Sequence, residues 1–331
     1  MLIVASKDPA LAAVVVRRIP LVYDETVPGT RAASAVRSAS SIVRTRAGIA
    51  IVQDDVNVIA LFDDEGLPMR VIALPPGEGG QRHFDDRRGN RSHKLDLEAA
   101  VAVTAEDGEL LLAFGSGSTE RREQVAILSG LDDERPNVSL VHVPLLYETL
   151  RKANAFAGSE LNIEGAIQVG ERLRLFGRGN GAVRDGVKPV NASCDLDWPA
   201  LIAYLRDPEG RDPPRPVDVA QYELGELDGT PLGFTDVTGH RGAVYYSATA
   251  EDSPDAARDG RVSGSGIGTI GSNNARWTPL TEPDGSLFAA KVEGLVPASE
   301  ARDTFLVVID SDNPDAQSDL CTVELRGPWQ I

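Results

Sequence analysis

Leu95-Asp96-Leu97-Glu98 leads into the apolar run 110–114 and then into the loop Gly115-Ser116-Gly117-Ser118. The same order of acid, turn, apolar strand and polar loop returns at 161–180, 234–253 and 291–313. A degenerate copy occupies 40–55, and counted from Ser41 the repeated positions are 57, 66, 72 and 57 residues apart. A repeat of this length predicts an array of similar β units, each of which buries its faces against its neighbours.

Alternating apolar runs separated by Gly, Asp and Pro predict short antiparallel strands inside each unit. The clearest strands of the second unit are 95–103, 109–114, 124–128 and 138–143, and those of the fourth are 233–237, 243–249, 265–270 and 276–280. The fifth unit has only three, at 289–295, 304–309 and 321–325. The apolar stretch 12–23 lies outside any repeat, and we expect it to supply the missing outer strand.

These units predict an all-β fold: a single β-propeller domain, residues 1–331, with five blades. The repeat units start near residues 40, 95, 161, 233 and 289, and residues 1–25 act as the closing strand. Closure of the ring removes the exposed edges that an open array would leave. Six blades are the alternative, because 145–230 is long enough to contain a degenerate blade. Helices are expected at 198–205, capped by Asp197, and at 147–157.

The composition restricts the partners. A net charge of −17 over 331 residues disfavours nucleic acid and anionic membranes and favours cation binding or simple solubility. The two cysteines, Cys194 and Cys321, are far apart and have no metal-ligand spacing. The N-terminus lacks the charged region and apolar run of a signal peptide, and no stretch is long enough to span a membrane. We therefore expect a cytoplasmic protein, and the sequence leaves its oligomeric state open.

One repeated position predicts a joint site. In a propeller the innermost strand of each blade runs along the central channel, so equivalent residues approach the axis from every side. The residues at this position are Ser41, Glu98, Glu164, Asp236 and Glu293. Several carboxylates in one small volume repel one another, and a hard cation, Ca²⁺ or else Mg²⁺, relieves the repulsion. The alternative is that backbone amides and arginines hydrogen-bond these acids around a water-filled channel.

The polar loop after the second strand of each unit is expected on one common face. It supplies Asp54, Asp55, Ser116, Ser118, Arg178, Asn180, Glu251, Asp252, Asp310, Asp312 and Asn313. Many of these are ordinary turn residues. Arg178, between two glycines, is suited to bind a phosphate or carboxylate. His240 and His93 lie close in sequence to repeat acids and are candidates for moving a proton, although isolated histidines are more often solvated.

The stretch 94–98, followed by Phe114-Gly115-Ser116-Gly117-Ser118 and by Arg178-Gly179-Asn180, resembles an uncharacterised group of bacterial propellers that is distantly similar to esterase-like and phytase-like propellers. The resemblance covers about 40–325. It implies a propeller in which calcium is the expected ion, and it leaves the reaction open. Phytase-like relatives are usually secreted, and the absence of an export signal here counts against a phytate-degrading role.

Two classes of function follow. The first is a metal-assisted hydrolase acting on a small phosphoester, ester or lactone. Glu98, Glu164, Asp236 and Glu293 then hold the ion, while Arg178 orients an anionic small-molecule substrate and His240 or His93 moves the proton. The second is a non-catalytic ligand-binding or protein-interaction propeller with a structural central cation or none. The fold alone does not choose between them.

Overall fold

The structure is a computed structural model that describes residues 1–23, 35–105, 108–255, 258, 260–299, 303–310 and 316–329. Strands dominate the described part, and helices are confined to three short α-helices and three single 3₁₀ turns. The prediction of an all-β fold is confirmed. Residues 312 and 313, which belong to the predicted polar loop, lie outside the described residues.

Two strands precede the first repeat, β1 (Leu2–Lys7) and β2 (Ala12–Pro20). The remaining strands form antiparallel groups in which sequence neighbours pair. The first group is β3 (Ala39–Thr45), β4 (Gly48–Gln53), β5 (Val58–Phe62) and β6 (Pro68–Ala73). The second is β7 (Leu97–Ala105), β8 (Gly108–Gly115), β9 (Gln124–Ser129) and β10 (Asn137–His142).

The third group is β11 (Ile163–Val169), β12 (Arg172–Gly177), β13 (Asn191–Asp197) and β14 (Val217–Glu223). After the short β15 (Glu226–Leu227), the fourth is β16 (Thr230–His240), β17 (Ala243–Asp252), β18 (Arg261–Ile270) and β19 (Ala275–Thr281). The last repeat contributes β20 (Lys291–Pro297), β21 (Thr304–Asp310) and β22 (Asp319–Arg326). The predicted strands of the second, fourth and fifth units are therefore present, with ends shifted by a few residues.

The N-terminal strands connect the outer edges of three groups. β2 pairs antiparallel with β22 along most of its length, as a fourth strand beside the last three. β1 pairs in parallel with β14 through its first half and with β19 through its second half. Outer strands of neighbouring groups are thus joined by hydrogen bonds, which the sequence did not predict for β1.

The groups stack face to face around a common centre. The innermost strands β3, β7, β11, β16 and β20 each contact the next, and β20 contacts β3. Apolar clusters fill the spaces between successive groups. A further cluster joins Ile42 and Val58 of the first group to Val308 and Leu320 of the last. Alternating strands that bury both faces against neighbouring sheets give a propeller-like arrangement.

The helices lie beside the third group. α1 (Pro144–Lys152) and α2 (Asn154–Ala157) occupy the place of the single helix predicted at 147–157. α3 (Trp198–Arg206) confirms the helix predicted after Asp197, whose Oδ1 accepts the Ala200 amide at 3.0 Å. Pro199 fits the first turn because its missing N–H would have no intrahelical partner there.

Each innermost strand carries one extra residue. The pairing with the second strand skips one position in every group, and the skipped residues are Ser40, Glu98, Glu164, Thr235 and Glu293. A bulge of this kind locally redirects a side chain. Ser41 and Asp236, which the sequence aligned with the repeat acids, are therefore one residue out of register with Glu98. Because side chains alternate across a strand, this shift changes the face to which they point.

Candidate functional site

A polar cavity of about 210 Å³ opens where the innermost strands begin. Every group of strands contributes to it. The lining residues include bulge residues of the innermost strands, residues two positions before those bulges, and residues at or just after the ends of the second strands. Its acidic lining residues are Asp54, Asp55, Asp85, Asp86, Asp96, Glu98, Glu164, Glu251, Glu293 and Asp310. Its basic lining residues are Arg37, Arg87, Arg91, Lys94, Arg122, Arg178, Arg258 and Lys291. The cavity is therefore densely but almost evenly charged.

The segment between β6 and β7 forms one wall of the cavity. The amide of Phe84 donates to the Asp55 carbonyl at 2.9 Å. The backbone of Asn57 donates to the Arg82 carbonyl and accepts the Leu74 amide, and its side chain donates to the Pro75 carbonyl. The Asn90 side chain closes the turn by bonding the His83 carbonyl and the Asp85 amide. This segment contains only two 3₁₀ turns, yet hydrogen bonds hold it in place, and it brings basic and acidic residues to the rim.

A carboxylate cluster lies where the first two groups meet. One oxygen each of Asp54, Asp96 and Glu98 lies within 4.8 Å of the others. Lys94 forms ion pairs with Asp54 and with Asp96, the latter at 2.6 Å, and Arg122 approaches Asp96 at 2.8 Å. Burial alone would raise the pKa of Asp96, but Lys94 and Arg122 beside it lower that pKa. Asp96 is therefore held as a carboxylate inside the protein.

Glu98 is the least satisfied acid of this cluster. Within the described part of the chain, no side chain or amide donates a hydrogen bond to it, and no base lies within ion-pair distance. Burial raises the pKa of Glu98 well above its usual range, and Asp96 and Asp54 raise it further. Asp54 Oδ1 is also buried without a partner. These oxygens are free to bind a cation or a hydrogen-bond donor.

The opposite side of the cavity contains a chain of buried ion pairs. Arg178 lies 3.5 Å from Glu164 and 2.6 Å from Glu251, and Lys291 lies 3.8 Å from Glu251 and 2.8 Å from Glu293. Three carboxylates thus share two bases. The side chains come from three neighbouring groups of strands, so their contacts connect those groups across the cavity.

The carboxylates of this chain hold protons more strongly than usual. Burial raises the pKa of Glu164 to about 8 even though Arg178 opposes the shift. Burial likewise raises the pKa of Glu293 to about 7 against the effect of Lys291. Asp55, on the other side, is raised to a pKa of about 7 by burial and by Asp54. Groups that titrate near neutrality can accept and release protons during a reaction.

Among curated proteins, no match to this sequence is found. Residues 35–325 match the family described as "Family of unknown function (DUF6929)". The chain belongs to that family. Similar solved structures include glutaminyl cyclase from Myxococcus xanthus, which is 11% identical with a TM-score of 0.46, and the alignment covers 96% of this chain and 98% of that one.

A second similar structure is the α-L-arabinofuranosidase PaAbf62A from Podospora anserina, solved in complex with cellotriose. It is 11% identical with a TM-score of 0.43, and the alignment covers 97% of this chain and 98% of that one. Among the helices that the structure describes, none has the length and apolar character needed to cross a bilayer.

The structure brings some of the sequence-predicted site residues together and places others elsewhere. Glu98, Glu164, Glu293 and Arg178 line the cavity. Ser41 is buried outside the cavity lining, and its neighbour Ser40 lines the cavity instead.

Asp236 lies outside the cavity lining. Its Oδ1 accepts the Val237 amide at 2.8 Å, and its Oδ2 accepts the Leu295 amide at 2.9 Å. It therefore joins β16 to β20 by backbone contacts. In the equivalent bulge position, Thr235 donates to Ser247 at 3.0 Å.

Both candidate histidines also lie outside the lining of this cavity. His240 ends β16, where its ring packs edge-on against Phe305 with centroids 5.5 Å apart. His93 is half-exposed on a 3₁₀ turn, with Nδ1 3.9 Å from Glu78 in a separate surface groove.

Sequence reasoning missed the residues two positions before each bulge. They are Ser38, Asp96, Asn162, Gly233 and Lys291, and all except Gly233 line the cavity. The signal was present, since alternate residues of a strand share a face and Asp96 and Asn162 precede Glu98 and Glu164 by two. Recognising it required the position of the bulge, which the sequence did not reveal.

Proposed function

We propose that the chain is a single five-bladed β-propeller domain closed by β2, and that the cavity at its hub is the ligand site. The cluster of apolar residues between the first and last groups supports closure, as does the contact of β20 with β3. The pairing of β2 with β22 supports the N-terminal strand as the fourth strand of the last blade. Likeness to esterase-like and phytase-like propellers is part of this proposal.

The function we propose is a metal-assisted hydrolase acting on a small phosphoester, ester or lactone. One observation carries it: the oxygens of Asp54, Asp96 and Glu98 lie within 4.8 Å of one another at the edge of a cavity that also contains carboxyl groups titrating near neutrality. Three carboxylate oxygens are hard ligands of the kind that Ca²⁺ and Mg²⁺ prefer. Such an ion supplies a Lewis acid that polarises the scissile group or lowers the pKa of bound water.

The surrounding residues then have distinct roles. Asp96 stays ionised beside Lys94 and Arg122 and so keeps the cluster anionic. Glu293, with a pKa of about 7, is suited to move a proton and takes the role predicted for His240 and His93. Arg178 pairs with Glu164 and Glu251 through its terminal nitrogens, and its Nε is buried without a partner.

The second candidate is a ligand-binding or interaction propeller without turnover. The ion pairs of Glu164, Glu251 and Glu293 with Arg178 and Lys291 favour it, because bases already neutralise most of this charge. Under this alternative any central cation is structural.

The deciding experiment combines metal analysis with an activity screen. We expect purified protein to melt at a higher temperature with calcium than with chelator, and Glu98→Gln to lose that difference. Glu123→Gln is the control, because Glu123 is a buried glutamate that pairs with Arg151 away from the cavity. Turnover of aryl phosphates, aryl esters or lactones that falls in Glu98→Gln supports the hydrolase. Turnover that is unchanged in Glu98→Gln, or an absence of any calcium effect, refutes the mechanism as written.

A further inference from the structure

The residues that line the cavity include buried hydrogen-bond acceptors and buried hydrogen-bond donors that have no partner. Asp55 Oδ1 and Glu293 Oε2 are unpartnered acceptors, and the two residues are only 8% and 5% exposed. Arg37 Nε and Arg178 Nε are unpartnered donors that belong to lining residues. Leaving such atoms unsatisfied costs about 1–3 kcal/mol each, so a ligand or ordered water that completes their hydrogen bonding stabilises the site.

The charge of the lining limits what that ligand is. The described lining contains ten carboxyl groups and eight Lys or Arg side chains, so the two kinds of charged group nearly balance. A lining of this kind favours neither a cation beyond the proposed ion nor a multiply charged anion.

We propose that the cavity binds a neutral, polyhydroxylated ring, so that the substrate of the proposed hydrolase is a sugar derivative. A hydroxyl group both donates and accepts, and it can therefore satisfy a carboxylate oxygen and a guanidinium Nε at once. An ammonium group only donates, and a carboxylate or phosphate only accepts. The Asn162 and Asn180 side chains in the same lining add amides that also do both.

The size of the cavity points to one ring. Its volume of about 210 Å³ lies below the roughly 300–1,000 Å³ typical of sites for drug-sized ligands. A single small ring is therefore expected to fill the enclosed part, with its ester or lactone bond toward the carboxylate cluster. This inference rests on the proposed function for the identity of the scissile bond, and on the lining alone for the hydroxyl groups.

Binding calorimetry with the full chain in calcium tests the proposal without requiring turnover. The probes are glucose, galactose, arabinose and myo-inositol as neutral polyols, citrate and inorganic phosphate as anions, and putrescine as a diamine. We expect at least one polyol to bind more tightly than every charged probe. Glu293→Gln should weaken it about tenfold or more, because one oxygen of the carboxyl group is replaced by an amide nitrogen that cannot accept a hydrogen bond.

The control is again Glu123→Gln, which should bind the polyol as the parent protein does. Preferred binding of citrate, phosphate or putrescine overturns the proposal, and so does an absence of polyol binding or equal binding by Glu293→Gln. A polyol that binds without turnover of any screened ester leaves this inference intact and counts against the hydrolase. Turnover of an aryl ester without any polyol affinity supports the hydrolase and overturns this inference.

Discussion

Gly233 makes room for the side chain of Arg178. A Cβ atom at position 233 would lie 2.9 Å from Arg178 Cγ and 3.1 Å from its Nε. The other groups of strands carry a side chain at the equivalent position, whereas here the glycine lets Arg178 cross from the third group to Glu251 in the fourth. A buried arginine and the absence of a side chain in the neighbouring strand are thus parts of one arrangement.

Gly233→Ala should therefore destabilise the protein by about 1–3 kcal/mol, the usual cost of adding a methyl group to a packed site. Both terminal nitrogens of the Arg178 guanidinium pair with carboxylates, so the side chain cannot move away without breaking a buried ion pair. Urea unfolding measures the change. Gly239→Ala, on the same strand with no atom within 4 Å of the new methyl group, is the control and should stay within about 0.5 kcal/mol of the parent. Equal effects of the two substitutions would contradict this account.

Asp236→Asn tests whether Asp236 stabilises the fold without belonging to the ligand site. Asp236 accepts two backbone amides with its two oxygens, and an amide side chain can satisfy only one of them. We expect a loss of about 1–3 kcal/mol in the free energy of unfolding. The calcium-induced shift in melting temperature should persist, because the side chain does not line the cavity. A variant that folds normally and no longer responds to calcium would show that Asp236 belongs to the metal site.

The comparison of Asp236 with Glu98 explains how far the sequence could predict the site. Strands, turns and the helix cap at Asp197 follow from local alternation and local hydrogen bonding, so they could be read directly. A bulge adds one residue without changing the composition of the strand. Because of the resulting shift, the sequence repeat selected Ser41 and Asp236 in place of the bulge residues Ser40 and Thr235. The ion pair of Arg178 with Glu251 joins residues 73 positions apart and depends on how the sheets stack. Local patterns carry no information about that stacking.

His83 should make the protein less stable in mild acid. Burial, together with the charges of Arg37 and Arg88, lowers the pKa of His83 to about 4. At this position the unfolded chain therefore binds a proton between about pH 6.5 and pH 4 that the folded chain does not bind, and the contribution of His83 to stability falls as the pH drops through that range. At pH 5 the loss relative to pH 7 is about 2 kcal/mol.

Urea unfolding of His83→Gln at pH 7 and pH 5 tests this linkage. The variant should lose about 2 kcal/mol less than the parent between the two pH values, whatever its stability at pH 7. The exposed His142 provides the matched control, since His142→Gln should retain the parental acid sensitivity. If His83→Gln and the parent lose the same stability on acidification, the buried histidine is not the cause.

Lys94 acts as an internal cation of the carboxylate cluster and should compete with a divalent ion. Its ammonium group pairs with Asp54 and Asp96, two of the three proposed ligands. Burial alone would lower the pKa of Lys94, but these two carboxylates raise it, so the side chain stays charged. Lys94→Met leaves the acids without this counter-charge, and we expect the free energy of unfolding in chelator to fall by about 3–5 kcal/mol.

Calcium should recover much of that loss, because the ion replaces the missing charge and binds only the folded cluster. The stabilisation by calcium, measured as the shift in unfolding midpoint, should therefore be larger in Lys94→Met than in the parent. Lys152→Met removes an exposed lysine paired with Glu148 on α1 and should change neither quantity appreciably. A calcium effect in Lys94→Met no greater than in the parent would show that Lys94 does not compete with the ion for these carboxylates.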